Sequence, residues 1–430
     1  MLATTMTVTF LGTSSGGGPS TSRNCSSLVA DVLGDGSLWM VDCAEGTLRQ
    51  FHSQPYSPDR SNLRLPQVKK IFITHMHGRI VPILRNLLFP VPVGQDAAKS
   101  LFPYQSSGQH PTIEIYGPAG IRTFIRSILK MTLSRMSDKY VVHELLLPTD
   151  SETSCEPEAI HTNEVAGENI LCSAEGFWRG VTQGKGSFGP VVVDAGPITH
   201  RDPCIGYVFR EAVEPFRKIV ILGDTCDPSA MTPLCIDPSP SLLIHEAADA
   251  YIPQEIDPKA KRSFDVVKEK ALARGHSLPE MAGGFAKTIG AQKLVLNHIG
   301  GRFPAPNPSE GYRLKSIRSN VIAEIERQAS EVWGMGMARA AWDFMRVAVP
   351  IPASSSPKGY PTAHNTWETK KSELIPDSPS YASRTQHRGR EGWSTRASRN
   401  DSFRHNQSQQ HGDSNNVDPL QNRNHGTQRR

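Results

Sequence analysis

Short segments rich in β-branched residues recur along residues 6–299, and each ends near a Gly, Pro, Asp or His. This recurrence constrains the fold most strongly, because short segments with such ends are typical of β-strands. It predicts strands at 6–12, 26–32, 37–43, 69–75, 112–117, 140–147, 190–196, 204–211, 218–224, 241–247 and 293–299. Helical periodicity predicts helices at 119–134, 279–289 and 310–332. Together they indicate an α/β chain with two sheets and helices outside them, in one domain spanning residues 1–350.

Two stretches differ from this pattern. Residues 351–430 are poor in aliphatic side chains and rich in Ser, Asn, Gln, Arg and Pro, so they are predicted to be a disordered, basic, low-complexity tail. This tail holds 12 Lys and Arg against 7 Asp and Glu, which accounts for the whole net charge of +5. It is either merely solvated or weakly attractive to RNA or a partner. The polar segment 150–189 is predicted to be a long loop inserted in the domain.

Composition excludes several classes of protein. No stretch approaches the roughly 18 apolar residues needed to cross a bilayer, so we expect no membrane association. The first residues lack the basic start of a signal peptide. The 7 cysteines have no CxxC pair or regular spacing, which is typical of reduced thiols in an intracellular protein. No segment is a convincing nuclear or mitochondrial address, so the cytoplasm, the nucleus and the mitochondrion all stay open.

Imidazole and carboxylate groups close several of the predicted strands. They are the ligands that zinc takes when a site keeps a position open for water. A lone histidine at a strand end is more often a surface or hydrogen-bonded residue, and one His-x-His pair is a weak signal. The pattern alone therefore leaves a metal site and unrelated histidines as alternatives. The residues concerned are His75, His77, His200, Asp224 and His298 at strand ends, and His276 at the start of a predicted helix.

Six longer stretches resemble, in the same order, the successive motifs of ribonuclease Z. This is the tRNA 3′-processing endonuclease of the metallo-β-lactamase superfamily. The stretches are VTFLGTSSGGGPSTSRNCSSL, WMVDCAEGTLRQF, KKIFITHMHG, KIVILGDTCDPS, LLIHEAAD and RGHSLPEMAGGFAKTIGAQKLVLNHIGGRFP. The resemblance implies an αββα sandwich of the metallo-β-lactamase type, with metal ions bound at one edge of the two sheets.

The resemblance also implies a ligand set. His75, His77 and His200 would hold a first zinc ion. Asp224 would bridge the two ions, and His298 would bind the second. The implied reaction is an in-line attack of a metal-activated water on a phosphodiester.

Three further residues acquire roles from the same resemblance. His276 would stabilise charge on the scissile phosphate or on the leaving group. Asp42 would lie behind the site and orient the ligand histidines, and Glu246 would contribute similarly.

The motif that begins at His75 differs from the family pattern. The family has His-x-His-x-Asp-His, but in this chain Arg79 and Ile80 occupy the positions of the Asp and the last His. The second ion would then keep only Asp224 and His298, and two protein ligands are normally too few for a hydrolytic site. The guanidinium of Arg79 would also repel a nearby dication. Two zinc ions are expected for the family, whereas the sequence as written favours one.

Three explanations of this departure stay open. A short segment containing Asp-His was dropped from the sequence, for instance at a wrong splice junction. This explanation is favoured, because IVPILRNLLF resembles the next family helix displaced by several positions. Alternatively, the chain is a degenerate homologue that is catalytically inactive. In the third explanation Arg79 replaces the second cation, although arginine cannot activate water as a metal does.

A second departure concerns how RNA is held. Many ribonuclease Z proteins carry a Gly/Pro-rich arm, for which GYVFREAVEPFRKIVILGD leaves no room. The remaining candidates for RNA contact are the loop at 176–189 and the basic tail. We therefore predict an endoribonuclease that removes the 3′ trailer of precursor tRNA, with a homodimer implied by the resemblance. The rival functions are a related hydrolase of small phosphodiesters or other esters, and an inactive interaction protein.

Overall fold

The computed structural model describes residues 5–56, 58, 62–76, 111–133, 139–307 and 310–351. The strands in these ranges are β1 (Met6–Gly12), β2 (Ser27–Asp31), β3 (Leu38–Cys43), β4 (Val68–Phe72), β5 (Ile113–Pro118), β6 (Tyr140–Leu146), β7 (Glu164–Val165), β8 (Asn169–Leu171), β9 (Trp178–Lys185), β10 (Pro190–Ile198), β11 (Cys204–Glu211), β12 (Lys218–Leu222), β13 (Leu242–Glu246), β14 (Leu294–Asn297), β15 (Arg339–Ala340) and β16 (Arg346–Val349). The helices are α1 (Thr47–His52), α2 (Ile121–Met131), α3 (Thr232–Cys235), α4 (Phe264–Ala273), α5 (Pro279–Thr288) and α6 (Tyr312–Trp333).

The strands in the described ranges form two sheets. The first has the order β16-β1-β2-β3-β4-β5-β6-β7, and β8 also pairs with β6. The second has the order β15-β14-β13-β12-β11-β10-β9. Neighbouring strands from β3 to β6 are parallel, as are those from β12 to β15. Within each parallel block the carboxyl ends of the strands therefore share one edge, where ligands of layered α/β proteins bind.

Apolar side chains define four layers. Phe72 of the first sheet and Tyr207 of the second meet in a core between the sheets, with ring centroids 5.2 Å apart. Helix α2 covers the outer face of the first sheet through Ile125. Helices α5 and α6 cover the outer face of the second sheet through Phe285 and Ile325. The order helix–sheet–sheet–helix confirms the predicted αββα sandwich.

The predicted elements agree with the structure for the three helices, which appear as α2, α5 and α6. The structure differs at 150–189, where the sequence predicts a long loop. Three strands lie inside this segment, and β9 forms the edge of the second sheet. The cause is visible in β9, where the buried Trp178 and Val181 contribute to the core between the sheets despite polar neighbours. Helix α4 is an element that the sequence analysis did not predict.

Several predictions fall on residues 77–110 and 352–430, which lie outside the described residues. They concern His77, Arg79, Ile80, the helix expected after them, and the tail. The division between domain and tail at residue 350 therefore stays a prediction. None of the helices in the described ranges is long and apolar enough to cross a membrane.

Candidate metal centre

Strand ends bring the predicted residues together at one edge of the sandwich. His75 follows β4, His200 follows β10, Asp224 follows β12 and His298 follows β14. The two sheets meet here directly, because His75 forms an isolated antiparallel bridge with Cys204 at the start of β11. The carboxyl ends of these four strands thus bring side chains that are far apart in sequence to one place.

Asp224 lies at the middle of this group. Its Oδ2 atom is 3.7 Å from Nε2 of His75, and its Oδ1 atom is 3.2 Å from Nδ1 of His298. The ring centroids of His75 and His200 are 5.7 Å apart, and those of His200 and His276 are 5.1 Å apart. The rings of His276 and His298 stack with centroids 5.5 Å apart. Four imidazoles therefore surround one buried carboxylate.

The donor set fits a divalent cation such as zinc. The Oδ2 atom of Asp224 is buried and accepts no hydrogen bond among the described residues. Such an atom is costly unless an ion or a water completes its contacts. One ligand atom each of Asp224, His276 and His298 lies within 4.8 Å of the other two. Imidazole nitrogens and carboxylate oxygens are the ligands of catalytic zinc sites.

Electrostatics at the centre favour negative charge on Asp224. Burial by itself raises the pKa of this carboxyl group, but the imidazoles of His298 and His75 outweigh burial and lower the pKa below its usual value. At Asp42, which is partly buried, desolvation raises the pKa to about 7, against the hydrogen bonds from Thr74. The pKa values of the two carboxyl groups shift in opposite directions, because Asp224 has imidazoles around it. Asp42 has no imidazole in hydrogen-bond contact among the described residues.

Glu246 and His276 form a second polar pair. Oε1 of Glu246 lies 3.0 Å from Nδ1 of His276 and accepts a hydrogen bond of 2.6 Å from the backbone N–H of Thr225. Burial raises the pKa of Glu246. Burial lowers the pKa of His276, but the hydrogen bond to Glu246 outweighs it and raises this pKa above its ordinary value. Glu246 therefore orients His276, whereas it makes no hydrogen bond to the predicted metal ligands of the described chain.

Asp42 also reaches the centre indirectly. Both of its carboxylate oxygens accept hydrogen bonds from Thr74, one from the backbone N–H at 2.9 Å and one from the hydroxyl at 2.8 Å. The same hydroxyl oxygen lies 2.8 Å from Nδ1 of His75. The contact of Asp42 with a predicted ligand thus passes through Thr74.

His200 is oriented by backbone. Its Nδ1 atom lies 2.7 Å from the carbonyl oxygen of Gly275. Gly275 has a φ of +75°, and a Cβ atom added there would lie 2.7 Å from the same Nδ1. Only glycine allows this approach, because any other residue would be strained and would collide with the imidazole.

Two residues of the centre are themselves in left-handed backbone conformations. Asp42 has a φ of +54° and His298 a φ of +53°. Such conformations cost on the order of 1–3 kcal/mol for a residue other than glycine and are concentrated at functional sites. They lie on opposite sheets and line the same small cavity.

That cavity has a volume of about 70 Å³. It lies beside the ligand cluster, between the strand ends and the loop after β1. Its lining includes Asp42, His75, Asp224 and His298, together with Ser14, Ser15, Gly16, Cys25, Ser26, Cys43 and Ala44.

Sequence reasoning missed Thr74, Gly275 and Cys204. Thr74 directly precedes a predicted ligand, and that position is the one signal that could have drawn attention to it. The Sγ atom of Cys204 lies 3.6 Å from Nδ1 of His75, a contact that no spacing in the sequence indicates. Of the predicted ligands, His77 lies outside the described residues.

Comparison with known proteins adds independent information. No family model matches the chain. It is 30% identical over 405 residues to zinc phosphodiesterase ELAC protein 1 of Homo sapiens, covering 80% of this chain and 99% of the relative. It is 32% identical over 340 residues to ribonuclease Z of Streptococcus sanguinis, covering 75% of this chain and 99% of that relative. The crystal structure of the short form of human tRNase Z has a TM-score of 0.53 and 29% identity, covering 80% of this chain and all of that one.

Proposed function

The chain belongs to the ribonuclease Z family, and on this premise we propose that it is a zinc-dependent endoribonuclease that removes the 3′ trailer of precursor tRNA. The observation that carries the proposal is the near-complete coverage of a zinc phosphodiesterase and a ribonuclease Z at about 30% identity. The convergence of His75, His200, Asp224 and His298 at one sheet edge supports it. The names of the relatives favour this nuclease over a small-ester hydrolase or an inactive homologue.

We assign metal ligands as follows. His75, His77 and His200 hold one zinc ion with Asp224, and Asp224 and His298 are the ligands left for a second. Arg79 and Ile80 provide no further ligand for the second ion, so we propose one bound zinc per chain for this sequence. When bound, zinc lowers the pKa of a coordinated water and offsets charge on the phosphoryl oxygens.

In this proposal His276 donates a proton to the leaving group. Glu246 accepts a hydrogen bond from Nδ1, so Nε2 is the ring nitrogen available to the substrate. The raised pKa of His276 favours the imidazolium form. Its Nε2 proton passes to the 3′ oxygen of the tRNA body as the bond from phosphorus to that oxygen breaks, which leaves a 3′-hydroxyl. The oxygen of the attacking water becomes part of the phosphate on the trailer, and the proton that this water loses passes to solvent.

The arm expected in many relatives has no counterpart here. Strands β11 and β12 are joined by residues 212–217 alone. The hairpin tip between β9 and β10 is also a poor candidate for contact near the cleaved bond. Strand β10 runs from this tip toward His200, and at about 3.3 Å per residue the tip lies roughly 30 Å from it.

Exposed arginines close in sequence to the site histidines are better candidates for contact with RNA near the cleaved bond. Arg201 directly follows His200, Arg274 precedes His276 by two residues, and Arg302 lies in the turn after His298. Among the described residues, Arg274 and Arg302 are in no ion pair, so their guanidinium groups are available for phosphates. We propose that these arginines hold the RNA beside the cleaved bond.

The test is a paired assay of the purified chain with zinc or manganese. One substrate is a tRNA transcript with a 3′ extension, and the other is bis(p-nitrophenyl) phosphate. Cleavage of the transcript after the discriminator base supports the proposal. Turnover of the chromogenic ester alone would replace it with a small-ester hydrolase. Neither activity, with less than one metal ion per chain, would indicate an inactive homologue. Light scattering of the same sample tests whether the chain forms a homodimer, as the resemblance implies.

A further inference from the structure

We propose that Thr74 is a positioning residue that connects Asp42 to His75 and fixes which nitrogen of His75 faces the metal. The proposal rests on the proposed function only in that His75 is taken as a metal ligand. It concerns the orientation of one imidazole and can be tested without any RNA.

The first step is the arrangement of donors and acceptors. The carboxylate of Asp42 faces two donors of Thr74, the backbone N–H at 2.9 Å and the hydroxyl at 2.8 Å, and an ionised carboxylate accepts hydrogen bonds and donates none. The hydroxyl of Thr74 has a single hydrogen, and its oxygen lies 2.8 Å from Oδ2 of Asp42. That hydrogen is therefore directed to Asp42.

The second step follows from the geometry at His75. With its hydrogen given to Asp42, the Thr74 oxygen can only accept from Nδ1 of His75, 2.8 Å away. Nδ1 then carries the ring hydrogen of the neutral imidazole, and the lone pair of the ring is on Nε2. Nε2 is the nitrogen that lies 3.7 Å from Asp224, on the side of the proposed metal. The tautomer that Thr74 selects is thus the one that a metal ligand needs.

The neighbouring histidines support this interpretation. Nδ1 of His200 lies 2.7 Å from the carbonyl oxygen of Gly275, and Nδ1 of His276 lies 3.0 Å from Glu246. In both cases an acceptor faces Nδ1 and leaves Nε2 for the centre. At His75 the acceptor is a hydroxyl oxygen, which could equally donate, and Asp42 removes that ambiguity. The Sγ atom of Cys204, at 3.6 Å, is a much weaker partner for the same nitrogen.

The chain offers a matched control. Thr199 directly precedes His200, as Thr74 precedes His75, but Thr199 is exposed and Thr74 is buried. Thr74→Val keeps the shape of the side chain and removes the hydroxyl, Thr74→Ser keeps the hydroxyl, and Thr199→Val makes the same change where no such connection exists.

The experiment has two readouts at pH 8. The first is a long-range ¹H–¹⁵N correlation spectrum of the metal-free protein, with His75 assigned by a His75→Gln variant, which identifies the tautomer. The second is zinc affinity, measured by competition with a chromogenic chelator. We expect Thr74→Val to lose the uniform Nδ1–H tautomer and to bind zinc about 10- to 100-fold more weakly. Thr74→Ser and Thr199→Val should retain the wild-type tautomer and affinity.

A second variant keeps the proposal testable if Thr74→Val does not fold. In Asp42→Asn the amide can donate to the Thr74 oxygen, whose hydrogen then turns to His75. We expect the Nε2–H tautomer in this variant, the reverse of the wild type. Wild-type tautomer in both Thr74→Val and Asp42→Asn, or an equal loss of zinc affinity in Thr199→Val, would overturn the proposal. Failure of the wild-type chain to cleave precursor tRNA would refute the proposed function and leave this result standing.

Discussion

The two sheets contribute unequally to the metal centre. The second sheet supplies His200, Asp224 and His298 from strand ends, and it holds Glu246 against His276. The first sheet supplies His75, supported by Asp42 through Thr74. Its motif then departs from the family at Arg79 and Ile80. In the proposed assignment, the second sheet therefore carries most of the metal ligands, while the motif of the first sheet determines how many metal ions are bound.

The largest expected effect comes from Asp224. Asp224→Asn removes the charge that faces both His75 and His298, so we expect metal content and cleavage of precursor tRNA to fall together. The cleavage rate should fall by about 10³-fold, which is the upper end of the range for loss of one stabilising group. Metal analysis and single-turnover cleavage measure the two losses, and the exposed Asp265→Asn on α4 is the control. Full metal content in Asp224→Asn would contradict its role as a ligand.

Replacement of His276 should slow the chemical step without changing metal binding. In His276→Ala we expect unchanged metal content and a fall in kcat of about 10²–10³-fold, because a proton donor and a positive charge are removed together. Single-turnover kinetics and metal analysis of the same preparation test this, with the exposed His52→Ala as the control. Loss of metal in His276→Ala would assign His276 to the ligand set.

Removing the arginines beside the site histidines should give a smaller effect on binding. We expect the double variant Arg274→Ala with Arg302→Ala to bind precursor tRNA about tenfold more weakly, with the salt slope reduced by about 2, one for each lost phosphate contact. Filter binding at several salt concentrations measures both quantities. Lys185→Ala, at the hairpin end of β9, is the control. Equal losses in both variants would place RNA on another surface.

The smallest change concerns metal stoichiometry. Arg79→Asp combined with Ile80→His removes a repelling charge and supplies two ligand types that a second ion lacks. We expect metal content to rise from about one to about two ions per chain, measured by mass spectrometry of the purified protein. Unchanged content would indicate that more than two side chains separate this sequence from the family motif. It would favour the dropped segment, which a transcript read across residues 70–90 can reveal.

Much of the fold was predictable because its core strands are short apolar segments, each ending near a Gly, Pro, Asp or His. Helix α4 was missed because it lacks a continuous apolar face. It buries Val267 and Ala271 and leaves Phe264 and Leu272 substantially exposed. Strands β15 and β16 are short and lie at the edges of the sheets. Their extended conformation depends more on pairing with a neighbouring strand than on the propensity of their own residues.

Asp224 and His298 meet because the carboxyl ends of the parallel strands β12 and β14 share an edge. His200 reaches the same edge because β10 is antiparallel to β11 and so runs in the direction of β12, and His75 comes from the facing sheet. Of the support behind them, the resemblance implied Asp42 and Glu246, but the link through Thr74 and the contact of His200 with Gly275 were not predictable. Thr74 and Asp42 are 32 residues apart, and His200 and Gly275 are 75 residues apart. No local pattern links such pairs, since only the packing of the two sheets brings them into contact. The roles of these residues in catalysis stay predictions.

The left-handed conformations of Asp42 and His298 have a thermodynamic consequence. Backbone strain at the centre lowers the stability of the metal-free chain, and an ion that binds only the native state raises it again by mass action. At a free zinc concentration 100 times the dissociation constant, that gain is about 2.7 kcal/mol. Heat resistance and occupancy of the centre are therefore linked, and a simple melting curve reports on both.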